Sequence, residues 1–146
     1  MKLNFEKFFT GKVVANGYMI FFYPKKREKI VKILFAGNFK NNKLSLKENY
    51  FENNTKTSTR NWFFKKLSDD KYIGNEKNIV KPFKLIIKNS SLEMNYKFKT
   101  QFKSFNFNVS VEDKMYLIKK NTIINRTKIS KFNISIAETF LLYNKL

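Results

Sequence analysis

The 146-residue chain contains no cysteine and no histidine. These absences exclude disulfide frameworks, thiolate zinc sites, cysteine nucleophiles and every imidazole base or metal ligand. A metal site would have to be built from carboxylates, and the 11 Asp and Glu residues form no cluster with suitable spacing. No catalytic sequence motif is recognisable either. The sequence therefore predicts no metal, no cofactor and no catalytic residues.

Long apolar runs are also missing. No stretch approaches the roughly 18 apolar residues that a membrane-spanning helix needs. The start of the chain is a short amphipathic segment with Lys2, Glu6 and Lys7 rather than the apolar region of a signal peptide. We therefore expect a cytoplasmic protein, with peripheral contact at the inner membrane as its closest association with lipid.

Glycine and proline are scarce, at four and two residues, and no repeat, linker or domain boundary interrupts the chain. Short segments of alternating apolar and polar residues follow one another, with turn signals every eight to twelve residues or so. Residues 1–146 are thus predicted to form one all-β domain, an antiparallel up-and-down β-barrel or a strongly curved half-barrel. Three phenylalanines at helical spacing between Leu3 and Phe9 predict a short N-terminal helix that plugs it.

The net charge of +19 comes from 30 Lys and Arg residues, of which only Arg27, Arg60 and Arg126 are arginine. Such a charge is typical of proteins that bind nucleic acid or anionic membranes. The chain is also rich in Lys, Asn, Ile and Phe together, which an AT-rich genome produces without any ligand. A solvated basic surface is therefore the simpler interpretation, and a specific basic patch is the alternative.

A first hairpin is predicted between Lys43 and Lys65. Leu44, Leu46 and Glu48 share one face of its first strand, and Arg60, Trp62 and Phe64 share one face of its second strand. Both apolar sets enter the core when Glu48 lies opposite Arg60. A three-residue loop at Asn53-Asn54-Thr55 gives that register, whereas a two-residue turn would shift it.

A second hairpin is predicted between Phe105 and Lys131. Asp113 has the parity of the apolar residues Val111 and Met115, so its carboxylate needs a partner in the core. With a turn at Lys120-Asn121, Asp113 lies opposite Lys128 and diagonal to Arg126, within reach of a long side chain. We therefore predict that Asp113 pairs with Arg126. In the last strand, Glu138 has the parity of Ile136 and Phe140 and is predicted to be a third inward acid.

The candidate ligand-binding residues are the polar and aromatic side chains predicted to face the barrel interior. They are Glu48, Arg60, Trp62, Tyr72, Tyr96, Asp113, Tyr116, Arg126 and Glu138. Two interpretations are open. The charged pairs and aromatic rings close and fill the interior, or they orient the polar head of a ligand whose tail the aromatic rings hold.

Six segments together resemble a bacterial lipocalin-like family known as domain of unknown function 3833. They are FEKFFTGKVVANG, LKENYFEN, RNWFFKK, YIG, VEDKMYL and INRTKISKF. They lie in the family's order along nearly the whole chain. The resemblance implies a lipocalin-like β-barrel without an established activity. It also implies kinship with proteobacterial lipoproteins and genes that lie near those for fatty-acid modification.

Family motif positions coincide here with Glu48, Arg60, Trp62, Tyr72, Gly74, Asp113, Tyr116, Asn125 and Arg126. The chain departs from the family at Lys114, where an aromatic residue is expected. It also lacks the expected glycines around Asn78 to Lys81 and near Asn89, and the lipoprotein cysteine. These departures put membrane anchoring and the edge between Ile79 and Leu92 in doubt.

The functional expectation is non-enzymatic binding of a hydrophobic small molecule, a fatty acid or lipid, in the barrel interior, in support of lipid modification at the membrane. The alternative is a basic β-barrel that binds nucleic acid or an anionic membrane surface. An enzyme that acts on a lipid through Glu48, Asp113 or Glu138 ranks third, because no nucleophile or phosphate motif accompanies these acids.

Overall fold

The computed structural model describes residues 1–102 and 105–146, which form a short helix and ten strands. Helix α1 spans Phe5–Phe9. The strands in chain order are Gly11–Phe21 (β1), Arg27–Lys40 (β2), Lys43–Glu52 (β3), Thr55–Ser68 (β4), Lys71–Glu76 (β5), Phe83–Lys88 (β6), Ser91–Phe102 (β7), Phe105–Lys119 (β8), Thr122–Lys131 (β9) and Ile134–Lys145 (β10).

Each strand pairs antiparallel with the next one in the sequence, and β1 pairs with β10 to close the ring. That closing ladder runs from the Val13–Lys145 pair to the Phe21–Ala137 pair. The predicted antiparallel barrel with a short N-terminal helix is confirmed, in its closed form. Closure satisfies the backbone of both end strands, which would otherwise be exposed edges.

Alternating side chains and asparagine turns explain why these segments form strands. In β7, Leu92 and Met94 are buried, whereas Glu93 and Asn95 are exposed. Tight two-residue turns need a left-handed backbone, which asparagine tolerates better than most residues. The β2–β3 turn uses Asn41 and Asn42 with φ of 53° and 58°, and the β3–β4 turn likewise uses two asparagines.

Helix α1 closes one end of the barrel, which we call the helix end. Its side chains Phe5, Phe8 and Phe9 are all buried. The Phe5 ring packs edge-on against Phe64 and Tyr72, with ring centroids 4.9 and 5.1 Å apart. The predicted plug is therefore present. The opposite end, where the chain passes through residues 22–26, 53–54, 77–82 and 132–133, is called the far end.

The barrel wall is interrupted near the far end because β5 and β6 are only six residues long. The ladder between β4 and β5 stops at the Trp62–Glu76 pair, although β4 continues to Thr55. The connection at residues 77–82 instead hydrogen-bonds to β7, with Val80 N donating to Lys97 O at 3.0 Å. A gap therefore separates the far half of β4 from this connection.

Gly37 allows β2 to touch the end of helix α1. A Cβ atom at this position would lie 1.8 Å from the Phe9 carbonyl oxygen, which is backbone and cannot rotate away. Gly37→Ala should therefore displace the helix and lower the free energy of unfolding by about 3 kcal/mol. Urea denaturation measures this change. Ala36→Val, on the exposed face of the same strand, is the control, and an equal loss there would contradict the explanation.

Candidate functional site

The middle of the barrel interior is polar, although aromatic rings surround it. Glu48 on β3, Arg60 on β4, Glu76 on β5 and Asp113 on β8 all project inward from different strands. Trp62 is buried among them. Because a buried charge needs a partner, the contacts of these four side chains define the site.

The first hairpin has the predicted cross-strand pairing, but its turn is shorter than predicted and a bulge compensates for the difference. Glu48 and Arg60 are register partners, as expected. The loop is a two-residue Asn53-Asn54 turn, so the prediction of a three-residue loop is wrong. The ladder shifts between Tyr50 and Phe51, where Thr57 on β4 is skipped. This bulge adds the residue that restores the parity.

Arg60 forms its ion pair with Glu76 rather than with Glu48. Its Nε lies 3.1 Å from Glu76 Oε2 and its Nη2 lies 3.3 Å from Glu76 Oε1, so the contact is bidentate. The two side chains are 18% and 2% exposed. The guanidinium carbon also lies 4.3 Å from the Trp62 ring centroid. The interpretation of Glu48 and Arg60 as a charged pair is therefore wrong, because the planar guanidinium makes both of these hydrogen bonds to the carboxylate of Glu76.

Glu48 is held by the indole of Trp62, whose Nε1 donates to Glu48 Oε1 at 3.2 Å. Burial raises the pKa of Glu48 above its usual value, while the charge of Arg60 and the Trp62 hydrogen bond oppose that rise. Glu48, Trp62, Arg60 and Glu76 are thus connected in that order. This connected set lies between the deep interior and the gap in the wall.

Asp113 forms a second polar group on the opposite wall. It accepts hydrogen bonds from Asn125 Nδ2 and, at 3.2 Å, from Thr127 Oγ1. Burial raises the pKa of Asp113 to about 7, although both hydrogen bonds favour the charged form. A carboxyl group that titrates near neutrality can accept or donate a hydrogen bond inside the barrel.

The predicted pairing of Asp113 with Arg126 is wrong. The Lys120-Asn121 turn is as predicted, but a bulge at Ile118 shifts the register, so Asp113 faces Thr127. This shift turns Arg126 to the outer face, where its side chain is 49% exposed.

Glu138 and Tyr116 also lie outside the barrel, contrary to prediction. Arg126 Nη2 contacts Glu138 Oε1 at 3.2 Å on the outer surface, and Tyr116 is 44% exposed. The inward residues of β10 are those of the other parity, including Thr139 and Tyr143. Three predicted site residues are therefore surface residues. Tyr116 has the parity opposite to that of Asp113 and Met115 and so faces outward on β8, whereas Arg126 and Glu138 were assigned to the wrong face of β9 and β10.

The two remaining predicted tyrosines are inside the barrel but have different roles. Tyr72 donates its hydroxyl hydrogen to Glu6 of helix α1, and Lys66 Nζ lies 2.6 Å from Glu6 Oε1. Tyr72 therefore fastens the plug. Tyr96 packs edge-on against Trp62, with ring centroids 5.7 Å apart, and so belongs to the central site.

Sequence reasoning missed Glu76 and Thr127. Glu76 has the parity of Tyr72 and Gly74 and therefore shares their inward face on β5, a relation that the short YIG segment alone did not reveal. The position of Thr127 opposite Asp113 follows from the register of β9, which the sequence pattern does not determine. Asn125 was indicated by the family resemblance alone, and its contact with Asp113 gives it a structural reason.

Two spaces adjoin the central site. A cavity of about 50 Å³ is lined by Glu48, Trp62, Asp113, Tyr143 and apolar neighbours, which is room for one or two water molecules. A groove of about 550 Å³ occupies the gap in the wall between β4 and residues 77–82, and Arg60 and Glu76 line it. Its volume lies within the roughly 300–1,000 Å³ of small-molecule sites.

Within residues 1–102 and 105–146, no group of three or more Asp and Glu side chains is arranged to hold a metal ion. In the same residues, no helix has the length and apolar character needed to cross a membrane.

A closed antiparallel barrel with a helical plug and a polar interior defines a lipocalin-like protein. The chain belongs to the family described as protein of unknown function (DUF3833), whose model matches residues 1–145. The predicted family is therefore confirmed. No curated protein matches the chain.

Among solved structures, the chain is similar to an S-type phycobiliprotein lyase, CPES, from Guillardia theta. The TM-score is 0.71 at 6% sequence identity, over 100% of this chain and 93% of the lyase chain. At this identity the likeness establishes the fold alone. It confirms the lipocalin-like architecture.

The expectation of a non-enzymatic protein is wrong. It was based on the absence of histidine, cysteine and catalytic motifs, but the barrel that matches over the whole chain is that of a lyase. The missing motifs therefore give no ground for assigning this fold to a binding protein without catalysis.

Two Arg–Glu pairs in the described part of the chain provide a matched test of burial. Arg60→Met leaves Glu76 buried without its cation and should lower the free energy of unfolding by about 3 kcal/mol. Arg126→Met breaks the exposed pair with Glu138 and should lower it by less than about 1 kcal/mol. Urea denaturation of both variants measures the difference. Equal losses would show that Arg60 and Glu76 are not desolvated.

The raised pKa of Asp113 predicts how stability depends on pH. The carboxyl has an ordinary pKa of 3.8 and a folded pKa of about 7. Between these values the folded protein keeps a proton that the unfolded chain has lost, so stability falls as pH rises from about 4 to 7 and then levels off. Asp113→Asn lacks the carboxyl and should not show this loss of stability. The free energy of unfolding of the variant minus that of the wild type should therefore be about 2 kcal/mol more positive at pH 8 than at pH 4.5.

Denaturation midpoints at the two pH values check this expectation for Asp113. Glu112→Gln is the control, because Glu112 is the neighbouring acid on the exposed face of β8. A pH profile that Asp113→Asn leaves unchanged, or that Glu112→Gln changes equally, would count against a protonated Asp113 in the barrel.

Proposed function

We propose that the protein binds a small hydrophobic molecule that carries N–H or O–H donors, in the groove between β4 and residues 77–82. The observation that supports this proposal is the connected set of Glu76, Arg60, Trp62 and Glu48. It begins in a groove of about 550 Å³ and ends at the cavity of about 50 Å³. A ligand in the groove would meet the bidentate Arg60–Glu76 pair at its inner end.

The charges at the inner end of the groove favour a ligand with donors over a free carboxylate. Glu76 is buried there beside Arg60, and Glu48 follows along the connected set, whereas the two lysines of the groove lining, Lys77 and Lys81, are exposed. The guanidinium of Arg60 already makes two hydrogen bonds to Glu76. At this inner end a fatty-acid carboxylate would add a third acid beside Glu48 and Glu76, whereas N–H donors would pair with oxygen atoms that are already present. A carboxylate would find its cations at Lys77 and Lys81 instead.

A bilin, an open-chain tetrapyrrole, is the ligand class that this reasoning favours. Its pyrrole nitrogens are hydrogen-bond donors for the acids at the inner end, and its flat rings are apolar. Its two propionate carboxylates would pair with the exposed Lys77 and Lys81 of the groove lining. The similarity of the barrel to a phycobiliprotein lyase makes this class the first to test. Phe63, Ile79, Val80 and Pro82 in the groove lining supply apolar contacts for such rings.

A fatty acid or other lipid is the second candidate, since the same apolar lining would also accept an acyl chain. The two candidates differ at the inner end of the groove. Removing the charge of Glu76 should weaken the binding of a ligand with donors. The same change should strengthen the binding of a carboxylate, because it frees Arg60.

Trp62 is the only tryptophan of the chain and packs against Arg60 in the site, so its fluorescence reports on occupancy. Titration with biliverdin should quench this emission in the wild-type protein. Glu76→Gln should weaken biliverdin binding at least about tenfold, the value of a hydrogen bond to a charged group. Val80→Asn, at an exposed groove position, should weaken it with little effect on folding. Oleate is titrated in parallel as the competing ligand.

Glu138→Gln is the matched control, because it breaks an Arg–Glu pair on the outer surface. Its affinity for biliverdin should equal that of the wild type. Circular dichroism confirms that each variant is folded. Biliverdin binding that neither groove variant weakens would overturn the site, and tighter oleate binding by Glu76→Gln would favour the lipid.

A further inference from the structure

Apolar side chains are exposed together at the far end of the barrel, on two adjacent hairpins. The β1–β2 and β9–β10 connections are neighbours because β1 pairs with β10, and Phe22 N donates to Ile136 O at 2.8 Å. We call the exposed residues of these connections and their flanks the aromatic rim. It consists of Phe22, Tyr23, Ile30, Phe132 and Ile134, whose exposed fractions range from 42% to 84%.

Phe132 is the most exposed residue of the rim and has an unfavourable backbone conformation. It is 84% exposed, and its φ of 51° lies in the left-handed region. In the described part of the chain, the other non-glycine residues with positive φ are all asparagines, as in the turn at Asn41-Asn42. A bulky apolar residue at such a position carries both a conformational and a solvation cost. Costs of this kind are tolerated where function requires the side chain.

The rim is surrounded by positive charge. Residues 22–30 contain four basic residues, Lys25, Lys26, Arg27 and Lys29, and one acid, Glu28. Residues 128–134 contain two basic residues and no acid, so the two segments carry a net charge of +5. Lys131 Nζ lies 4.6 Å from the Phe132 ring centroid, which places a cation directly beside the most exposed apolar side chain.

We propose that the aromatic rim docks the far end of the barrel onto an anionic lipid bilayer. Aromatic side chains are favoured at the level of the lipid headgroups, and basic residues at the membrane surface each contribute about 1 kcal/mol through attraction to anionic lipid. The two hairpin tips supply both components on one face. This inference is independent of the ligand proposed for the groove.

Charge complementarity selects the bilayer over other partners. A second copy of the chain docked rim to rim would bring two +5 surfaces together. Single-stranded nucleic acid is usually bound along a positively charged groove with aromatic platforms, whereas these aromatic residues lie on the tips of turns. A bilayer presents negative charge next to an apolar layer, which matches the arrangement of the rim.

Phe132→Asn tests the proposal without endangering the fold. Asparagine suits the left-handed turn, so this variant should unfold at the same or a higher urea concentration than the wild type. Flotation assays with vesicles of phosphatidylcholine containing phosphatidylglycerol should show about tenfold weaker binding, since a large apolar contact is lost. Leu67→Asn, an exposed apolar position at the helix end, should bind as the wild type does.

The wild-type protein should bind these vesicles, bind pure phosphatidylcholine vesicles weakly, and lose affinity as salt is added. Equal vesicle affinity of Phe132→Asn and the wild type would overturn the proposal. So would a wild-type dimer in sedimentation that Phe132→Asn converts to monomer, or binding to an oligonucleotide that Phe132→Asn weakens as strongly as vesicle binding.

Discussion

Closure of ten antiparallel strands into one ring is the constraint on which the rest of the structure depends. The ladder between β1 and β10 fixes which side chains of every strand face inward. Once inside, a charged group has little access to water and must find its partners on other strands. The bidentate contact with Arg60 provides such a partner for Glu76, and the indole hydrogen bond provides one for Glu48. The central site is thus a consequence of closure as much as of the residues themselves.

The sequence was sufficient to predict the barrel, the plug helix and the inward face of several strands. In β3 and β8, apolar and polar residues alternate, so only one parity can face the core. Glu48 and Asp113 were placed inside for this reason. β9 and β10 contain apolar residues at successive positions, such as Ile123 and Ile124 or Leu141 and Leu142. Either face of these strands could have been buried, and Arg126 and Glu138 were assigned to the wrong one.

Bulges and ion-pair partners could not be predicted from local patterns. The extra residues at Thr57 and Ile118 each change the parity of a strand, and no sequence signal marks them. The ion-pair partner of Arg60 could not be predicted either, because residues that are opposite each other in a ladder do not always have side chains in contact. Glu48 lies opposite Arg60 in the ladder, but the guanidinium turns to Glu76 on the other neighbouring strand. Such a choice depends on three-dimensional geometry rather than on spacing.

The distribution of charge is more informative than its amount. A high lysine content follows from composition alone, and it spreads cations over the whole outer surface. The far end is different because Phe132 occupies a left-handed turn position of the kind that asparagine occupies in other turns of the chain. Asparagine is abundant in this composition, so the same bias would supply it here at no conformational cost. The phenylalanine therefore indicates a requirement that composition does not explain, and its cationic surroundings indicate that the requirement is an anionic, apolar partner.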